Sequence, residues 1–342
     1  MTVVHYACSP DNRFVARQTP NGDGCWEDFR FVFEAGSGPA DWLLVYDAPY
    51  GKLETRIPRH RRIVVLSEPP SIRHYDDRYL DQFGVVVAPA APKNYKGVVK
   101  QTSPAIPWFY GLDFDHLTEI GAHKSFRQLQ EQEKAPAKSQ LLSAVCSTKK
   151  LNRNQVRRLR FLDMLKAELG DELAIYGRGF QQLRDKAEGI DGFRYHMVLE
   201  NNLDRDAWTE KLADPILAGA YPIVAGGGGL DSYFDSRSFT EIDIRSPKQA
   251  VREIAALLAE DPAGKPDVQQ AMLDNKKKLM EVNQVFPLIV SVIREQPAST
   301  DELAQPVTIT GPRKSKWRHL TKPFRMLMPY YHEISLRLVE TK

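Results

Sequence analysis

The sequence has 342 residues, 42% hydrophobic and 27% charged, which supplies two cores of ordinary size and excludes a disordered or fibrous chain. Lys plus Arg is 47 and Asp plus Glu is 44, so the net charge of +3 is too small for a surface coated to bind nucleic acid. Cys8, Cys25 and Cys146 are far apart and lack metal-ligand spacing, which fits a reducing compartment and leads us to expect a cytoplasmic location.

Met1 to Val15 contains Asp11 and no continuous apolar stretch, so no signal peptide is expected. No window approaches the ~20 apolar residues of a membrane-spanning helix. Short apolar runs follow at Val3 to Cys8, Trp42 to Tyr46, Ile63 to Leu66 and Val85 to Val87, each leading into turn chemistry or proline. Runs that are apolar on both faces predict buried parallel strands, hence an α/β first half. The polar stretch from Ser125 predicts a short helix and then a linker at Pro136, with a domain boundary near Lys134 to Gln140.

A second strand series is predicted at Leu141 to Cys146, Leu173 to Tyr176, Tyr195 to Leu199, Tyr221 to Val224 and Phe239 to Ile244. Helical spacing of apolar residues marks Asn154 to Leu169 and Ala207 to Ala218, and Pro247 to about Arg294 is helical with a break at Gly264 to Pro266. Strand and helix alternating in both halves predicts two doubly wound domains facing each other across a cleft. We expect residues 1–135 to form the first domain, 136–300 the second and 301–342 a basic amphipathic tail. From Arg313 onward eight Lys/Arg stand against Glu333 and Glu340, a charge of +6. Interleaved with Trp317, Phe324, Leu327 and Tyr330, they suit an anionic membrane surface. Packing of the same apolar side chains on the first domain is the competing expectation, since Pro323 and Pro329 break any long helix.

Gly226 to Gly229 lets backbone approach a ligand closely, or serves as a loose strand-to-helix connection. It has neither the dinucleotide fingerprint nor the phosphate-loop spacing, which disfavours a Rossmann oxidoreductase. The segment Tyr195 to Val224 carries more chemistry. A strand ends in Glu200 and Asn201, a polar loop follows, and Thr209, Glu210 and Lys211 open a helix. Polar groups thus collect where open α/β sheets bind phosphates and nucleotides. Lys211 can put a point charge on a diphosphate, and Glu210 can accept two ribose hydroxyls. An N-terminal capping box with Asp206 as cap and Lys211 solvated is an equal reading of the same residues. Tyr195 and His196 are expected to be core residues.

Leu199-Glu-Asn, Thr209-Glu-Lys-Leu, Ala218-Gly-Ala-Tyr-Pro-Ile-Val-Ala-Gly and Ser238-Phe-Thr resemble the donor-binding motif of the family 10 glycosyltransferases, the α-1,3/1,4-fucosyltransferases, here of bacterial type. Tyr176-Gly-Arg-Gly, Arg158-Leu-Arg-Phe-Leu, Leu66-Ser-Glu-Pro-Pro and Pro107-Trp108 fit the same family, so the resemblance spans roughly Trp26 to Asp261. It implies a GT-B architecture of two Rossmann-like domains, with the acceptor on the first and GDP-fucose mainly on the second. Transfer would proceed with inversion and without an obligatory metal or cofactor. By the resemblance Glu68 is the catalytic base, and Arg158, Asn201, Glu210 and Lys211 bind the donor; Asp47, at the end of the preceding predicted strand, is the substitute base. Glu200, Trp208, Gly226 and Gly227 are further candidates. Family members commonly carry an aromatic two residues before Thr-Glu-Lys, where this sequence has Ala207 and then Trp208. The implied activity is transfer of fucose to a hydroxyl of an oligosaccharide acceptor of lipopolysaccharide O-antigen type, with peripheral membrane contact through the tail. The alternatives are the same fold with a different nucleotide sugar, and a non-catalytic nucleotide- or glycan-binding protein.

Overall fold

In the computed structural model, which describes residues 1–8, 10–34, 39–68, 73–132, 138–150, 153–297 and 305–313, the chain forms two α/β units. The first comprises 1–101, 114–122 and 290 onward, and the second 102–113 and 123–289. The tail from residue 314 lies outside the described residues.

The first unit is built on β1 (Thr2–Ala7), β2 (Cys25–Trp26), β3 (Phe29–Val32), β4 (Trp42–Tyr46), β5 (Leu53–Thr55), β6 (Arg62–Val65), β7 (Val85–Ala88) and β8 (Val98–Gln101), with a single helical turn, α1 (Asp77–Leu80). Seven of these strands form one sheet in the order β2-β3-β1-β4-β6-β7-β8, parallel except at the β2–β3 pair. Every residue of β4, β6 and β7 is buried, Arg62 at the start of β6 included, as expected of strands covered on both faces. Leu43, Val45, Val64 and Val86 pack with Tyr79 and Phe83 in its core.

The second unit begins with α2 (Phe126–Glu131), where Ser125 and Gln128 make the reciprocal bonds of a capping box. There follow β9 (Gln140–Val145), α3 (Arg153–Leu169), β10 (Leu173–Tyr176), β11 (Phe193–Leu199), α4 (Glu210–Ala218), β12 (Tyr221–Ala225), β13 (Thr240–Glu241), α5 (Pro247–Glu260), α6 (Pro266–Glu281) and α7 (Val285–Arg294), of which the residues from 290 on belong to the first unit. The five strands run parallel in the order β10-β9-β11-β12-β13. Alternation along them puts Leu142, Ala144, Met197, Leu199, Ile223 and Ala225 into one core with Phe161, Leu162 and Leu165 of α3 and Ile254 of α5. The order reverses between β9 and β11, and the crevice beyond their carboxyl ends is where such sheets bind ligands. Finally β14 (Val307–Ile309) pairs antiparallel with β5, and Ile309 is buried in the first unit's core.

Each unit is thus α/β with a doubly wound parallel sheet, the domain composition of the GT-B class. The units divide elsewhere than at residues 134–140. Residues 102–113 belong to the second because Trp108, Phe109 and Tyr110 are buried there, and Asp214 accepts the backbone N–H groups of Phe109 (2.8 Å) and Tyr110 (2.9 Å). A sequence pattern that locates strands carries no sign of which sheet a connecting aromatic segment covers.

Candidate functional site

The polar residues after β11 gather at the β9/β11 crevice of the second unit. Asp206 does not cap α4. Its backbone is left-handed, with φ of 63°, and Thr209 is the cap, accepting from the Lys211 N–H at 3.3 Å. The helix therefore begins three residues later than the apolar periodicity predicts, which brings Glu210 and Lys211 into its first turn.

There Thr209 is held by Glu200, which accepts from its N–H at 2.8 Å and from its hydroxyl at 2.9 Å. Lys211 Nζ lies 3.0 Å from Glu210 Oε1, 3.6 Å from Glu200 Oε2 and 3.1 Å from Thr209 Oγ1. Lys186 adds a second ammonium, 2.7 Å from Asp214 Oδ2 and 3.7 Å from Glu210 Oε1, over the Phe109 ring at 4.8 Å. All five ionisable side chains are buried, so Lys211 is not the solvated residue of the capping-box reading. Three carboxylates face two ammonium groups. Burial pushes Glu200 up against the opposing pull of Lys211, and burial pushes Asp214 up against Lys186. Burial also acts upward on Glu210, but Lys211 and Lys186 together outweigh it and hold its carboxyl below the ordinary value.

Arg158, on α3, is 4% exposed and donates through Nη1 to the Leu199 carbonyl at 2.9 Å, which ties its guanidinium to the carboxyl end of β11. Its Nε and the Oδ1 of Asn201 are buried without a hydrogen-bond partner. Two unsatisfied polar atoms at one strand end are a place where a bound anion or sugar hydroxyl finds ready partners. The Cys146 thiol, at the end of β9, is raised by burial and drawn back by Arg158 and Lys211, so both cations act on the same strand end.

The glycine run is not a slack connection. A Cβ on Gly227 would sit 1.9 Å from the Asp204 carbonyl oxygen, and Gly228 and Gly229 have φ of 82° and 85°. Trp208 is 3% exposed and packs edge-on against Tyr233 (5.6 Å) and Phe234 (5.3 Å). It packs within the core of the second unit. Tyr195 and His196 are core residues, with His196 Nδ1 2.8 Å from Ser143 Oγ.

Glu68 belongs to the first unit, in the turn after β6, and is half-buried. The prolines after it lie outside the described residues. Asp47, at the end of β4, is fully buried, and its carboxylate accepts from the Ser67 N–H (2.8 Å), the Ser67 hydroxyl, the Glu68 N–H (3.3 Å) and the Tyr75 hydroxyl. Asp47 is also left-handed, with φ of 53°, which costs a residue with a Cβ about 1 to 2 kcal/mol. Among the described residues no group of three or more His, Cys, Asp or Glu could hold a metal ion, and no helix is long and apolar enough to cross a membrane.

A parallel sheet with cations and carboxylates at its switch point is a nucleotide-binding arrangement, and comparison with known proteins defines the class: the chain is a glycosyltransferase. Residues 135–263, from just before β9 to just after α5, match the model of "Glycosyltransferase family 10 (fucosyltransferase) C-term". Among solved structures the chain is similar to an α1,3-fucosyltransferase with GDP (13% identity, 83% of this chain and 92% of that one, TM-score 0.47). It is also similar to an α1,3-fucosyltransferase with GDP-fucose (13% identity, the same coverages, TM-score 0.44). A third is WaaG, a glycosyltransferase involved in lipopolysaccharide biosynthesis (11% identity, 87% of this chain and 100% of that one, TM-score 0.36). No curated protein matches the sequence.

Sequence reasoning missed Lys186 and the place of Asp214 in the site. Asp214 left a signal, a carboxylate among Leu212, Ala213, Ile216 and Leu217 on the apolar side of a helix. Lys186, in a polar stretch, left none.

Proposed function

We propose that the protein transfers fucose from GDP-fucose, with inversion, to a hydroxyl of a surface-glycan acceptor of lipopolysaccharide O-antigen type. The observation that carries this is the cluster of Arg158, Asn201, Glu200, Glu210 and Lys211 at the β9/β11 switch point, inside the segment that matches the fucosyltransferase family. In this reading Arg158 and Lys211 take the diphosphate and offset the charge that grows on the leaving oxygen. Lys211 exchanges part of its contact with Glu210 for phosphate, and Glu210, still held by Lys186, accepts the ribose hydroxyls. Asn201 uses its unsatisfied Oδ1 on the donor. Glu68 takes the proton of the acceptor hydroxyl as that oxygen attacks the anomeric carbon. The acceptor would sit on the first unit, which carries Glu68.

A second donor is favoured by one observation. With Trp208 in the core and Ala207 in the aromatic's place, the donor sugar lacks the ring contact that fucose receives in the family. A thermal-shift screen of nucleotide sugars separates the two. GDP-fucose at a hundredfold its dissociation constant should stabilise the protein by about 2.7 kcal/mol. A shift with another nucleotide sugar and none with GDP-fucose would keep the enzyme class and overturn the substrate. The basic, aromatic tail supports peripheral contact with the inner face of the membrane. The full chain should then sediment with anionic but not neutral vesicles, and a chain ending at Pro312 should remain in solution.

A further inference from the structure

Asp47 carries more hydrogen bonds than its place at the end of β4 requires. Its backbone N–H donates to the Val65 carbonyl at 2.8 Å, which continues the β4–β6 ladder. Its side chain then reaches forward into the turn after β6. Oδ1 takes the N–H groups of Ser67 and Glu68 together with the Tyr75 hydroxyl, and Oδ2 takes the Ser67 hydroxyl. All four of these donors belong to the chain itself, three on Oδ1 and one on Oδ2, and the side chain is fully buried. Asp47 is therefore built into the loop and is not presented to a substrate hydroxyl, which removes it as the alternative base.

The network is also anchored. The Tyr75 ring stacks on Tyr79 with centroids 6.2 Å apart, and Tyr79 packs edge-on against Phe83 at 5.3 Å in the core. The left-handed backbone at Asp47 aims the carboxylate at the next strand's turn, and strain of this kind persists where surrounding bonds determine it.

We propose that Asp47 is the positioning residue of the catalytic base. It fixes the backbone of Ser67 and Glu68, with Tyr75 as its tie to the core, so that the Glu68 carboxylate is held at one depth for the acceptor hydroxyl. The inference rests on Glu68 being the base. Displacement of a catalytic group by about 1 Å can lower turnover about a hundredfold without loss of substrate binding.

The test is a double-mutant cycle on the full chain. Tyr75→Phe and Ser67→Ala each remove one donor with no change in charge, and Asp47→Asn keeps one acceptor oxygen. Each single variant should lower kcat by about 10-fold to 100-fold, with the donor KM and the calorimetric affinity for GDP unchanged. In a Glu68→Gln background the same substitutions should change kcat by less than about twofold, because there is no longer a base to position. Equal loss in both backgrounds would overturn the positioning role while Glu68 remains the base. Loss confined to the melting temperature, with kcat intact, would also overturn it. Undiminished turnover in Glu68→Gln alone would remove the base assignment first, and the positioning role with it.

Discussion

Glu68→Gln should lower turnover by about 10² to 10⁴-fold while leaving donor binding intact. The carboxamide keeps the size and most of the hydrogen-bonding outline of the side chain and loses only basicity. The Glu68 N–H would still donate to Asp47, and the turn that carries it would stay in place. The donor-side residues lie in the other unit, so GDP affinity by calorimetry should not change. A drop in GDP affinity equal to the drop in turnover would place Glu68 at the donor, and near-normal turnover would move the base elsewhere.

Lys211→Ala should have two separable effects. A charge-assisted contact to phosphate is worth about 1.5 to 3 kcal/mol, so GDP binding should weaken by about 10-fold to 150-fold. Lys211 is also the nearest cation to Glu200 and Glu210, both buried. Removing one partner of a buried ion pair typically destabilises by about 3 to 5 kcal/mol, because the charge left behind has neither water nor counterion. Denaturant unfolding should register that loss. Glu210 keeps Lys186 at 3.7 Å, so the stranded charge is Glu200; adding Glu200→Gln removes it and should recover much of the stability but none of the lost GDP affinity. Unchanged GDP affinity in Lys211→Ala would sink the phosphate role and leave Lys211 as a purely internal counterion.

The strands were the most legible part of the fold. Trp42 to Tyr46 and Leu173 to Tyr176 fall where their apolar runs predict, and most others shift by a residue or two. Buried parallel strands need apolar residues on both faces, and such runs stand out from polar turns. The strands β2, β3, β5, β8 and β14 were not expected. They are short or sit at edges, and Arg30, Glu54 and Lys100 interrupt their apolar character. Among the candidate site residues, Glu210 and Lys211 were visible as polar residues opening a helix after a strand, and Arg158 and Asn201 only through the resemblance to the family motif. Their burial was not visible. A Glu-Lys pair opening a helix reads as solvated until Glu200 from one strand end and Lys186 from a distant loop converge on it, and sequence spacing does not encode that convergence. Asp47 could be named as a carboxylate near the base, but its role depends on Ser67 and Tyr75, 20 and 28 residues away.

The pairing of β5 with β14 bears on how the protein is made. Val307 pairs with Thr55, so the first unit acquires its last strand about 250 residues after the partner strand has left the ribosome. Closing so long a loop is entropically slow. Throughout synthesis of the second unit, the β5 edge and the core that receives Ile309 lack their cover. An uncovered strand edge beside apolar surface is what chaperones protect and what aggregation recruits. The second unit, one nearly continuous stretch of sequence, can fold as it emerges, whereas the first must wait for nearly the whole chain.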